Sequence, residues 1–195
     1  MTFFETAFEL LYVDERFDLR WRRDHYHNGS GHSADSIATF ALSGYLGVNI
    51  KYMGKMRTLR AHSLVWWLYS GDSPYGVDHI DGDGTNNHID NLRGCTRQQN
   101  LLNRGPTYRS KSGFKGVSFH KANGMWHANA SICGNKRHLG FYKNRWEAAM
   151  AYDMFMINSV PDDLVTFCWL NYFKSSIPDI DDINNIRRQF EYGNI

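Results

Sequence analysis

Residues 77–103 read VDHIDGDGTNNHIDNLRGCTRQQNLLN. The apolar start, Val77–Ile80, has the character of a short strand, and it runs into a loop dense in Gly, Asp and Asn. Thr96 is a good helix N-cap, so a helix is expected to begin there and to present Gln99, Asn100 and Asn103. Strand, loop and helix together outline a small ββα unit.

The polar residues of this stretch suit phosphodiester hydrolysis. That reaction needs a base to make hydroxide, positive charge for the phosphate, and help for the departing 3′ oxygen. The imidazole of His79 suits the first role, because an ordinary histidine titrates near about pH 6.5. A hard divalent cation suits the other two and prefers carboxylate and amide oxygens, of which Asp78 and Asn100 supply one each. Neighbours on a strand point to opposite faces, so Asp78 and His79 can serve opposite sides of one phosphate. The other readings are structural. Asp78, Asp81 and Asp83 with Gly82 and Gly84 could form a calcium loop, but the Glu that closes an EF-hand-like loop is missing. Asn86 and Asn87 read as turn formers, His88 as a solvated loop residue, and Asn103 as an alternative helix ligand to Asn100. His62, at the start of the preceding helix, is either structural or a phosphate contact, with the structural reading preferred. His25, His27 and His32 read as plain surface in a polar loop.

Working outward, Ala61–Ser70 clusters its apolar residues at helical spacing and stops at Gly71. Upstream, Leu10–Trp21 reads as a hairpin turning at Asp14–Glu15, and a second hairpin turns at Gly54–Lys55. Residues 24–35 read as a loop. Downstream, Arg104–Ser112 is a polar, basic connector. Three strands follow, Phe114–Lys121, Met125–Cys133 and Lys136–Tyr142, with turns at Asn123–Gly124 and Gly134–Asn135. Alternation puts Trp126, Ala128, Ala130 and Ile132 on one face and His127, Asn129 and Ser131 on the other. It likewise sets Val117 and Phe119 against Ser118 and His120, and Leu139 and Phe141 against Lys136 and His138. Arg145–Val160 is helical, with apolar residues on more than one face, so burial from two sides is expected. From Ser175 the chain is acidic, with a short helix from about Asp179.

Over all 195 residues the net charge is +2, which conceals a strong asymmetry. Residues 1–92 carry −4 and residues 146–195 carry −5, while residues 93–145 carry 11 Lys/Arg and not one carboxylate. Such a block suits a polyanion, nucleic acid first among them. No apolar run approaches the roughly 18 residues that span a bilayer. The three cysteines, Cys95, Cys133 and Cys168, form neither a disulfide framework nor a zinc pattern, which fits a reducing compartment.

The stretch AHSLVWWLYSGDSPYGVDHIDGDGTNNHIDNLRGCTRQQN (residues 61–100) resembles the HNH endonucleases, particularly the phage and intron homing type. The resemblance implies an α+β, ββα-metal (His-Me finger) core with a single divalent ion. It implies His79 as general base, Asp78 and Asn100 as metal ligands, and Asn91 bracing the loop. Because the last position is Asn rather than His, Mg²⁺ is expected, with Mn²⁺ as a substitute. FKGVSFHK, GMWHANASI, KRHLGFY and EAAMAYD resemble the apetala/ethylene-response-factor DNA-binding domain. That likeness implies DNA contacts at Lys115, Ser118, His120, Asn129, Ser131, Lys136 and His138, with Trp126 in the core.

The expected organisation is therefore a β-rich extension (1–60), an HNH core (61–104), a basic linker (105–112), a sheet-and-helix DNA-binding domain (113–173) and an acidic tail (174–195). Arg20, Arg22, Arg23, Lys51, Lys55, Arg57 and Arg60 are expected to add backbone contacts. The function expected is site-directed cleavage of double-stranded DNA in the cytoplasm, of the host if phage-encoded, with neither membrane nor obligatory protein partner. A non-cutting DNA-binding regulator and a low-specificity nuclease are the alternatives.

Overall fold

A computed structural model describes residues 2–27, 30–72, 75–132 and 134–191, with backbone alone for 25–27, 30, 190 and 191. The chain divides into two compact units. The first comprises Met1–His79 with Asp83–Cys95, and the second Ile80–Gly82 with Thr96–Ile195.

The first unit opens with a helix rather than a strand. α1 (Phe3–Leu10) is started by a capping box in which Thr2 and Glu5 satisfy each other's amides. β1 (Leu11–Val13) then pairs antiparallel with β2 (Leu19–Trp21). Asp14 closes their connection by accepting the amides of Arg16 and Asp18. Residues 24–35, read as loop from their polarity, contain the short hairpin β3 (His25–His27) and β4 (Ser30–His32). β5 (Phe40–Leu42), β6 (Tyr45–Tyr52) and β7 (Lys55–Arg60) form a meander. Its second turn sits at Met53–Gly54, one residue earlier than expected, because both residues take positive φ (49° and 77°) and make the turn that matches strand twist. α2 (Ala61–Ser70) ends at Gly71 in the left-handed conformation, as its sequence predicts. It buries Ala61, His62, Leu64 and Val65, the 1-2-4-5 spacing of one helix face. Around that face Leu11, Leu19, Val48, Ile50 and Leu92 close a core. The unit ends with β8 (Gly76–His79) and β9 (Leu92–Cys95), antiparallel, joined by a loop that includes a 3₁₀ turn at Ile89–Asn91.

In the second unit, α3 (Arg97–Asn103) starts at the expected Thr96, whose hydroxyl accepts the Gln99 amide while Gln99 caps Thr96 in return. β10 (Val117–His120), β11 (Met125–Ile132) and β12 (Asn135–Tyr142) form the antiparallel sheet, in the order β10-β11-β12. α4 (Arg145–Ser159) is capped by Asn144, whose side chain accepts the amides of Trp146 and Glu147. It buries Ala148, Ala149, Tyr152, Met156 and Ile157 but leaves Trp146, Met150 and Met154 exposed, so the expected two-sided burial holds only in part. α5 (Asp162–Val165) follows, then α6 (Ile180–Glu191). The acidic end is a working part of the core, since Ile183 is fully buried with Met156, Ile157 and Leu170. Its apolar residues are spaced helically among acids, a pattern that net charge hides. Asp153 ties the unit together by accepting the Asn171 and Tyr172 amides at 2.8 Å each. Burial raises its carboxyl to about 6 against the pull of those amides.

One feature of the sheet overturns the simple alternation. Ala128 pairs with Gly140 but Asn129 pairs with His138, so Leu139 is an extra residue in a β-bulge. Leu139 points to the core, whereas Phe141, expected beside it, stands opposite His127 on the open face. Alternation cannot be carried across a bulge, because the extra residue exchanges the two faces.

Candidate nuclease site and sheet surface

Strand pairing places the chemistry of the first unit. Asp78 and Arg93 are direct partners across β8 and β9, and the Arg93 guanidinium donates to Asp78 Oδ2 at 3.0 and 3.2 Å. Both side chains are mostly buried (8 % and 13 % exposed), so the pair is shielded from solvent screening. His79, the last residue of β8, is buried, and its Nε2 lies 3.0 Å from Asn87 Oδ1. Asn91 donates from Nδ2 to the Asn86 carbonyl at 2.8 Å, a bond that braces the loop.

The rest of the loop is held by small residues. Asp83 Oδ1 accepts from the Thr85 amide and hydroxyl at 2.9 and 2.7 Å, and those bonds keep its carboxyl below the usual range. Gly84 is buried, and a Cβ there would stand 2.2 Å from the Gly44 carbonyl oxygen. His88 packs on Phe17 with ring centroids 4.4 Å apart, and its Nδ1 accepts the Asp90 amide.

Around His79 stand residues that its sequence neighbours do not announce. His62 meets it edge-on at 4.7 Å between centroids, and Tyr45 lies 5.6 Å from His62 and 6.0 Å from His79. The Arg60 guanidinium sits 4.3 Å over the Tyr45 ring, a cation held at the edge of the cluster. His62 is buried with Nδ1 unpartnered. Burial, then the neighbouring His79 and Arg60, push its pKa down to about 3. Folding therefore keeps His62 neutral where the unfolded chain takes up a proton. The share of stability that depends on His62 is whole above about pH 6.5 and falls as pH drops toward about 3, by about 1.4 kcal/mol per unit, while Asp153, its carboxyl raised to about 6, acts in the opposite sense below that pH. Relative to the parent, His62→Phe is expected to gain stability along that acid limb in urea denaturation measured from pH 7 to 4. An unchanged limb would place the proton elsewhere.

Asn100 lies on α3 in the second unit, on the exposed side of the helix. Asn103, the alternative, is buried instead. Among the described residues no group of three or more His, Cys, Asp or Glu is placed to hold a metal. The side chains of His25 and His27 lie outside the described residues, and His32 stacks on Trp21. Of the upstream cations, Arg20 is held by Asp14 and the Asp35 carbonyl, and Arg22 by the Phe8 and Leu11 carbonyls. Both are thus engaged within the fold, Arg22 while remaining exposed.

The open face of the second unit's sheet carries Ser118, His120, Ser131, Lys136 and His138, all exposed, with Asn129 half-buried. His127, Phe141 and His138 form its centre: His127 Nε2 lies 2.7 Å from His138 Nδ1, and Phe141 sits 5.1 and 5.0 Å from the two rings. Partial burial, with His138 and His120 nearby, lowers the His127 pKa. Lys115 is not part of this face. It is half-buried, its ammonium donates to the Leu102 carbonyl, and burial lowers its pKa to about 8. Alternation puts His127 on this face, although it is not among the expected contacts; the bulge that delivers Phe141 leaves no simple trace.

Residues 59–102 match the family model of the HNH endonucleases. Over 79 residues the chain is 37 % identical to Protein 3.8 of Escherichia phage T7, a match that covers 40 % of this chain and 65 % of that protein. No solved structure gives a significant match. No described helix is long and apolar enough to cross a membrane. An HNH endonuclease domain therefore occupies residues 59–102 of this chain.

Proposed function

We propose that the chain is a metal-dependent DNA endonuclease of HNH homing type, hydrolysing phosphodiester bonds at a recognised site in double-stranded DNA. The Asp78–His79 step at the end of β8, inside the HNH-matching residues, carries this reading. His79 is the general base: it takes a proton from water, the water oxygen bonds to phosphorus, the bond to the 3′ oxygen breaks, and that oxygen takes up a proton from solvent. The products are 5′-phosphate and 3′-hydroxyl ends. Arg60, stacked on Tyr45, offers positive charge to the phosphate. Asn91 keeps the loop in place through the Asn86 carbonyl.

A carboxylate oxygen and an amide oxygen are hard donors, so Asp78 and Asn100 fit a hard divalent ion that keeps several waters. Mg²⁺, with Mn²⁺ as a substitute, would stabilise charge on the phosphate and the departing oxygen when bound. Ser118, His120, Asn129, Ser131, Lys136 and His138 are read as the DNA-facing surface of a domain of apetala/ethylene-response-factor type. The carboxylate-free block 93–145 supports that reading. The relative from phage T7 supports a phage setting, in which the protein acts in the host cytoplasm.

The full chain, mixed with supercoiled plasmid and Mg²⁺, is expected to produce nicked or linear DNA, and EDTA to stop it. DNA binding without cutting, on every substrate and metal tried, would turn the reading toward a regulator built on an HNH fold.

A further inference from the structure

Within the second unit a cleft of about 790 Å³ opens between α3 and the end of β11. That volume falls in the size range of small-ligand sites. The cleft forms because β10 begins only at Val117, whereas β11 runs on to Ile132, so the last residues of β11 lack a partner on that side. Arg97 and Gln98 line one wall, and Lys115, Asn129 and Ser131 the other.

Its charge is unbalanced. Lys115 is half-buried, and its ammonium is bonded to a neutral partner, the Leu102 carbonyl at the end of α3. The nearby Arg104 repels it, and no carboxylate among the described residues pairs with it. Arg97 is exposed and likewise has no carboxylate partner among the described residues. No acid occurs anywhere from residue 93 to 145, so the local sequence supplies no counter-charge. A partly desolvated ammonium without an anion is costly, and an anionic ligand removes that cost. Asn129 and Ser131 add amide and hydroxyl groups suited to phosphate oxygens.

We propose that this cleft holds the sugar–phosphate backbone of one DNA strand, through Arg97 and Lys115. The proposal rests on the nuclease reading and adds to it. Arg97 and Asn100 are three residues apart on α3 and share a helix face. A phosphate held by Arg97 thus brings its strand to the amide proposed as a metal ligand. The cleft is a positioning element at the edge of the open sheet face, with which it shares Asn129 and Ser131.

The test uses the full chain carrying His79→Ala, so that DNA is bound but not cut, and a 30-base-pair duplex. Affinity is measured across salt concentrations for Arg97→Gln, Lys115→Met and, as a cation outside the cleft, Lys143→Gln. Arg97→Gln is expected to weaken binding about three- to tenfold and to lower the salt slope by about one. Lys115→Met should do the same. Because that substitution also removes the bond to the Leu102 carbonyl, the acetylation rate of Lys115 in the otherwise unaltered background is measured too, and DNA should protect that amine. Unchanged slope for Arg97→Gln, an equal loss for Lys143→Gln, or no protection of Lys115 would overturn the cleft while leaving the nuclease reading intact. Absence of duplex binding by the parent protein would overturn both.

Discussion

Replacing His79 by alanine is expected to lower the DNA cleavage rate by about 10²–10⁴-fold while leaving duplex affinity within about twofold. The magnitude follows from what the side chain does. A positioned imidazole removes a proton from water as the new bond forms, and alanine leaves that proton to bulk solvent. Binding is spared because His79 is buried among Asn87, His62 and Tyr45 and offers DNA no charged surface. The measurement is single-turnover cleavage of plasmid at saturating protein, beside a binding titration on the same preparation. Undiminished cutting by the variant would remove His79 from the mechanism. Parallel loss of cutting and of binding would mark it as a fold residue.

The largest effect on stability is expected at Gly84. An alanine Cβ there meets the Gly44 carbonyl oxygen at 2.2 Å and the Tyr45 ring at 2.6 Å. Neither obstacle yields easily. Gly44 is part of the β5–β6 turn, with Ser43 and Gly44 both at positive φ, and Tyr45 is held between His62, His79 and the Arg60 guanidinium. Overpacking against backbone costs about 3 kcal/mol, which lowers Tm by about 6–12 °C in a chain of this size. Cleavage should fall as well, because the displaced loop carries Asn87 away from His79. Gly124→Ala is the comparison: its Cβ meets nothing within 4 Å, and only the positive φ of 63° opposes it. A Gly84→Ala protein that melts with the parent would show that the loop can move aside at little cost.

Much of the site is legible residue by residue. Asp78 next to His79 marks the strand end, Thr96 with Gln99 starts α3, and Gly71 ends α2; each is a local signal with a local cause. Asn87 carries no such signal. It stands among Asn86, Thr85 and Asp83, which do form the turn, and only burial against His79 sets it apart. The half-burial of Lys115 is likewise not legible, because a lysine in a basic strand region reads as surface until its bond to the Leu102 carbonyl is seen. The acidic end misleads in the same way, since Ile183 lies in the core while its neighbours Asp181 and Asp182 give the segment its charge.

Local signals were enough to read β8, the loop after it and α3, the ends of α2 and α3 at Gly71 and Thr96, and the charge block that points to a polyanion, but not β9, which lies inside what reads as loop. Those features depend on neighbours within a few positions or on composition, so they need no fold to be read. The tertiary structure alone decided what His79 meets. His62 arrives from α2, Tyr45 from β6 and Asn87 from the loop, and their rings and amide converge only when the hydrophobic core of the first unit closes. It also decided which face of the second unit's sheet Phe141 occupies, because a single extra residue at Leu139 exchanges the faces. Contacts between residues far apart in the chain are set by packing, and packing has no local code.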